Sequence, residues 1–257
     1  MAPAQPTQVE DAVLYLRAVH SRAQFALTSF YLFRGARAGD DERVCIIPGH
    51  AGHVVARTTE FSAICALSLV CRKVFDHATT GRTARPLLKA APETLSKIAE
   101  YWTGNNPTGN AHAALAFVRA VLRDLVNSKQ NLEKSSISLA NSVGRIKAFA
   151  DSYAAHISMG GWSFSDADCA AVVSAMTVLA SVIASFDGRG TPASYFDDVD
   201  MASNMGARAL FPDASPTRLF DGVNIAEFGR RCSSLGVEGR RVLYDELPLV
   251  LSKPWLG

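Results

Sequence analysis

The sequence predicts an all-α protein, a helical bundle with an irregular C-terminal extension, on three observations. Apolar residues recur at spacings of three and four through most of residues 1–187, which is the period of an amphipathic helix. Clusters of glycine, proline and asparagine fall between those stretches, and helix-capping residues stand at some of their starts. Hydrophobic residues make up 48% of the 257 and charged residues 19%, so there is enough apolar surface to close a core.

The first helix is expected from Val9 to Phe33, where Val9, Ala12, Leu16, Val19, Ala23, Ala26, Phe30 and Phe33 share a face. Gly35 to Asp41 breaks the pattern. Val44 to Val55 contains Pro48, Gly49 and Gly52 and reads as a loop, with a short extended piece at Val44 to Ile47. A second helix starts at Thr59 and runs to about Asp76, carrying Phe61, Ile64, Cys65, Leu69 and Phe75, before Thr79-Thr80-Gly81 ends it. Pro92 followed by Glu93 opens a short helix through Trp102, which Gly104 to Pro107 closes.

A fourth helix spans about Ala111 to Ser128. The fifth runs from about Leu132 to Ile157 on a regular stripe of Leu139, Val143, Ile146, Ala150, Tyr153 and Ile157, and Gly160-Gly161 stops it. Ser165 or Asp166 then caps an apolar helix ending near Phe186. Its uncharged stretch from Cys169 to Phe186 is interrupted by Ser174, Thr177, Ser181 and Ser185, and it reads as a buried central helix and not as a membrane span. After Asp187, Gly188, Gly190, Pro192, Pro212, Pro216, Gly222, Pro248 and Pro254 cut the chain into short pieces, with one more helix expected over Ile225 to Leu235. The expected organisation is a bundle over residues 1–187 and an irregular extension over 188–257 that packs on it.

Twenty-six basic and 24 acidic residues leave a net charge of +2, which argues against a chain-wide basic surface for nucleic acid or lipid but leaves room for a local basic cleft. Met1 to Thr7 lacks a basic segment followed by an apolar one, so no secretory signal is expected. Five cysteines, Cys45, Cys65, Cys71, Cys169 and Cys232, form no Cys-x-x-Cys pair; they fit reduced thiols in a cytoplasmic core better than a disulfide framework or a zinc site. His50 and His53 have no Cys, Asp or Glu beside them at ligand spacing, so no metal is expected there. No phosphate-cradling glycine motif or nucleophile elbow occurs, and no cofactor is expected.

Two segments carry chemistry. One is the apolar helix Ser62 to Phe75, followed by Asp76 and the basic, turn-rich run Thr80-Gly81-Arg82-Thr83-Ala84-Arg85-Pro86-Leu87-Leu88. The other is Ile146-Lys147-Ala148-Phe149-Ala150-Asp151-Ser152-Tyr153-Ala154-Ala155-His156. Together they resemble the HEPN superfamily, most closely its abortive-phage-infection branch, over roughly Val9 to Phe186. The resemblance implies a helical bundle that dimerises, an antitoxin or other protein partner, and RNA as the substrate of metal-independent cleavage. The family motif is an arginine, usually followed by a polar residue, with a histidine four to six residues after the arginine. His156 matches the histidine and Asp151 the polar position, while Ala150 stands where the arginine belongs.

Such cleavage needs an acid or base near the ribose 2′-hydroxyl, which a histidine provides, and a cation beside the phosphate, which arginine provides bidentately. Losing one preorganised charge donor costs about a hundred- to a thousand-fold in rate. Arg145 lies on nearly the same helical face as His156 but about 16 Å away along the axis, so it could serve only across an antiparallel dimer; Lys147 is a second candidate.

The resemblance thus gives His156 the acid/base role, Asp151 an orienting role and Arg145 the replacement cation. Arg72, Arg82 and Arg85 are candidate RNA-binding residues. Arg72 can equally pair with Asp76 one helical turn on, and Arg82 and Arg85 can equally be solvated loop cations. Arg230-Arg231 and Arg240-Arg241, interleaved with Phe228 and Tyr244, form a further basic cluster better suited to half-buried ion pairing. The leading expectation is a defence- or toxin-type RNA-associated protein. The alternative is a non-catalytic helical interaction or scaffold module in which the degenerate motif survives as structure.

Overall fold

The computed structural model describes residues 7–37, 49–76, 83–104, 109–126, 138–155, 164–212 and 218–251. Among them are ten α-helices and no strand: α1 (Gln8–Arg37), α2 (Gly49–Val74), α3 (Arg85–Lys89), α4 (Pro92–Trp102), α5 (Gly109–Val126), α6 (Ser138–Ala155), α7 (Asp166–Ser185), α8 (Tyr195–Leu210), α9 (Ile225–Ser234) and α10 (Gly239–Leu251). The all-α class read from the sequence is the class observed. The extended piece expected at 44–47 and the double glycine at 160–161 lie outside the described residues.

The core is organised around α7. Its start is a complete capping box: the Ser165 hydroxyl accepts from the Asp168 N–H at 3.2 Å, and the Asp168 carboxylate accepts from the Ser165 N–H at 2.8 Å. From there every residue between Asp168 and Ala184, except half-buried Ala171, is buried. The reason is encirclement, since α7 packs against α1, α2, α5, α6, α8, α9 and α10. A helix apolar on all faces needs that. Two of its hydroxyls turn back on the backbone, Thr177 donating to the Val173 carbonyl and Ser185 to that of Ser181, both at 2.8 Å, while those of Ser174 and Ser181 are buried without a hydrogen-bond partner. By length and composition α7 and residues Ala51–Val74 of α2 could each cross a membrane; in this fold α7 is 89% buried and the α2 segment 39%.

Helix α2 begins ten residues before the Thr59 start expected from sequence, which corrects the loop read over Val44 to Val55 for residues 49 onward. Gly49 and Gly52 each cost about 1 kcal/mol inside a helix. Packing of this first part on α1 and on Phe211 just after α8, where Ala56 meets Ala36 and Phe211, offsets that cost. The far end of α2 is pinned to α1 by the Tyr15 hydroxyl, which donates to the Val74 carbonyl at 2.6 Å.

The stretch after Asp187 holds more helix than its prolines and glycines imply, with α8, α9 and α10, the last two joined by a short 3-10 turn at Gly236–Glu238. Phe196, Phe211 and Phe220 are buried, and one core cluster draws residues from both sides of Asp187. A buried polar tie holds α8 to α1: the Tyr31 hydroxyl donates to Asp200 and accepts from the Leu219 N–H at 2.6 Å, while Arg218 Nε donates to Asp200 at 3.0 Å. Burial pushes the Asp200 carboxyl up despite the hydrogen bonds from Tyr31 and Arg218 that pull it down. At the other end of α7, the Gly188 N–H donates to the Trp102 carbonyl at 2.9 Å, and a Cβ on Gly188 would lie 2.9 Å from the Gly104 nitrogen. Only glycine allows α4 and α7 to end that close together.

Candidate functional site

The second of the two motif segments lies on α6. Leu139, Val143, Ile146 and Ala150 of its expected stripe are all buried, so the sequence periodicity sets the rotation of the helix correctly over those positions. That rotation aims the position of the missing motif arginine inward, since Ala150 is 1% exposed. Asp151, one residue on, faces partly outward. His156 and Arg82 lie outside the described residues.

Arg145 is held inside the chain. Its guanidinium spans both oxygens of Asp168, Nε reaching Oδ2 at 3.1 Å and Nη2 reaching Oδ1. The Ser142 hydroxyl donates to the same carboxylate at 2.6 Å. Burial alone would raise the Asp168 carboxyl, but the hydrogen bonds from Arg145, Ser142 and the Ser165 N–H outweigh it and hold the group below the usual carboxylate range. Arg145 therefore ties α6 to the capping box of α7. To meet a phosphate across a dimer it would have to leave a bidentate partner.

Lys147, the second candidate cation, is 8% exposed. Its ammonium donates to the Phe75 carbonyl at 2.8 Å and to the Val126 carbonyl at 3.0 Å. These carbonyls stand at the C-terminal ends of α2 and α5, where the helix dipoles place negative charge and the last carbonyls lack partners within the helix. One lysine thus satisfies two helix ends at once.

Arg72 and Asp151 are brought together. Arg72 Nε lies 3.0 Å from Asp151 Oδ1, joining α2 to α6, with the two side chains 43% and 27% exposed. This inter-helix pair differs from the pairing with Asp76 that sequence spacing suggests. Arg85 opens α3 and is half-buried, one residue after Ala84, whose N–H donates to the Asp76 carbonyl at 3.3 Å. Arg72, Lys147 and Arg85 thus gather around the C-terminal end of α2.

Among the described residues the four cysteines offer no thiolate for nucleophilic chemistry; Cys45 lies outside them. Burial pushes Cys71 up to about 12, even with Lys147 nearby, and Cys232 likewise to about 12. Burial also raises Cys65 and Cys169. Among the described residues, no three His, Cys, Asp or Glu side chains converge as a metal site.

In the C-terminal basic cluster three of the four arginines are held by ion pairs or a ring, and Arg230 is exposed. Arg231 pairs with Glu246 and sits 5.2 Å over the Phe228 ring, and Arg241 lies 3.4 Å from Glu238. Arg240 reaches Asp124 only at 3.5 Å, and that carboxylate also accepts from the Tyr244 hydroxyl at 3.0 Å. Sequence reading passed over Arg119 and Arg123 of α5, which meet Arg240 at one surface hollow. The signal was present as an arginine pair one helical turn apart, but α5 was read only for its apolar face.

No family model matches this chain, and neither a curated protein nor a solved structure is detectably similar to it. The resemblance to HEPN proteins rests on the two segments described above.

Proposed function

We propose that this chain is a non-catalytic, HEPN-like helical interaction protein in which the motif segment is retained as structure. The observation that carries this reading is the inward-facing, 1% exposed Ala150, preceded on α6 by two cations that each have partners within the fold, Arg145 on Asp168 and Lys147 on two carbonyls. A cation at position 150 would have to be buried among apolar side chains, at a cost of several kcal/mol without a partner. Alanine is what the packing favours there. Arg145 and Lys147 serve helix ends and caps, which leaves neither available to a scissile phosphate.

One observation favours a second reading, a metal-independent endoribonuclease. The Arg72–Asp151 pair puts a partly exposed cation beside the motif acid, five residues before His156. In that reading Arg72, and not Arg145, supplies the charge that the motif arginine provides in HEPN nucleases, and His156 the acid/base group.

Incubating the purified protein and its His156→Ala and Arg72→Ala variants with total RNA in EDTA separates the two. The expected result is no cleavage above background by any of the three. Cleavage by the wild type that both variants lose would overturn the non-catalytic reading in favour of the nuclease. Equal cleavage by all three marks a contaminating nuclease, to be removed before either reading is judged.

A further inference from the structure

The hollow between α4, α5 and α10 has a volume of about 280 Å³ and brings Arg119, Arg123 and Arg240 to one place. Three guanidiniums stand there in a chain whose total net charge is +2. Among the described residues no carboxylate lines the hollow. The acid that pairs with Arg240, Asp124, lies at the longer distance of 3.5 Å and is shared with Tyr244.

Arg119 is rigidly placed. One of its terminal nitrogens donates to the Leu88 and Ala90 carbonyls, both at 2.9 Å, while its Nε is buried with no hydrogen-bond partner. Burial and the neighbouring charge of Arg123 both work against its protonation, a sign that like charges are held close. Arg123 is exposed and forms no hydrogen bond or ion pair among the described residues. The hollow also has an apolar part, lined by Leu95, Leu115 and Val237, the last 46% exposed, beside the polar Ser96 and His112.

A cluster of like charges is unfavourable by itself and is relieved by a bound anion. Guanidiniums present forked donors matched to phosphate or carboxylate oxygens, and three of them fit a dianion better than a single carboxylate. The apolar wall adds a preference for a ligand with a flat or greasy part, and the volume limits it to a small molecule or a chain end. We propose that this hollow binds a small phosphate monoester bearing an aromatic or apolar group. The site uses none of the motif residues on α6 and stands or falls independently of the reading above.

The test is calorimetric titration of the full chain with AMP and with phenyl phosphate, using adenosine as the uncharged control. Binding of at least one phosphate ester is expected, with no binding of adenosine. Arg123→Ala should weaken the ester about tenfold or more, as loss of a charge-assisted hydrogen bond predicts. Arg241→Ala, which alters a cation one residue from Arg240 and outside the hollow, should leave affinity unchanged. Arg123 is exposed, so its variant should keep the wild-type helical spectrum and melting curve. The proposal is overturned if neither ester binds the wild type, or if Arg123→Ala and Arg241→Ala weaken binding equally, which would mark a diffuse electrostatic effect.

Discussion

The cations of α6 and those around the α5 hollow are equally ordinary in the sequence, yet the fold treats them in opposite ways. Arg145 and Lys147 are committed to a buried carboxylate and to two helix ends. Arg123 and Arg240 sit at a hollow with one distant carboxylate between them. The difference lies in neighbours. On α6 the adjoining elements end in unsatisfied carbonyls and a capping acid, which draw in positive charge. At the α5 hollow Arg119 takes two carbonyls at the end of α3, but Arg123 and Arg240 have only Asp124 as a nearby counter-charge among the described residues.

That contrast can be broken or sharpened by substitution, and the largest effect is expected at Asp168. Asp168→Ala removes the reciprocal cap of α7 and the partner of Arg145 and Ser142 together, and should lower unfolding stability by about 3 kcal/mol in urea melts. A loss below 1 kcal/mol would mean that Arg145 is not structurally committed. Lys147→Met keeps the buried stem but strips two charge-assisted bonds from helix ends; a loss of about 2 kcal/mol is expected in the same assay. A neutral outcome there would show that desolvating the ammonium costs as much as its bonds return.

A smaller, pH-dependent effect follows from the depressed Asp168 carboxyl. Its folded value lies below the unfolded one, so its contribution is fully present above the unfolded value of about 4 and is lost as pH falls through the folded value. The stability gap between wild type and Asp168→Asn should therefore hold from pH 7 to about 5 and shrink below about 4. A gap independent of pH would reject the assignment. The exposed pair should matter least: Arg72→Ala is expected to cost about 1 kcal/mol or less, because both partners are partly screened by water.

Much of this was legible in advance at particular residues. The stripe from Leu139 to Ala150 set the rotation of α6, Pro92 and Glu93 located the start of α4, and Ser165 announced α7. The start of α2 was missed because Gly49 and Gly52 are weak helix formers that packing on α1 overrides. Of the helices after Asp187, α9 lies where the sequence places one, over Ile225 to Leu235, while α8 and α10, at sixteen and thirteen residues, were not expected because the prolines and glycines around them read as punctuation. Helix α9, at ten residues, is too short to be stable alone, and its apolar face has meaning only against α5 and α7. Arg72 found Asp151 and not merely its own helix neighbour, a pairing that no spacing rule contains.

What the sequence determined by itself was which residues turn inward: periodicity is local, and a 3.6-residue repeat specifies a helix face wherever the helix lies. What only the tertiary structure decided was the fate of the charges. Each depends on which helix end, carboxylate or apolar wall the fold carries to within a few ångströms, and that is set by packing between residues far apart in the chain. Ala150 belongs to both: its place in the stripe was readable from sequence, and the cost of any cation there comes from what surrounds it.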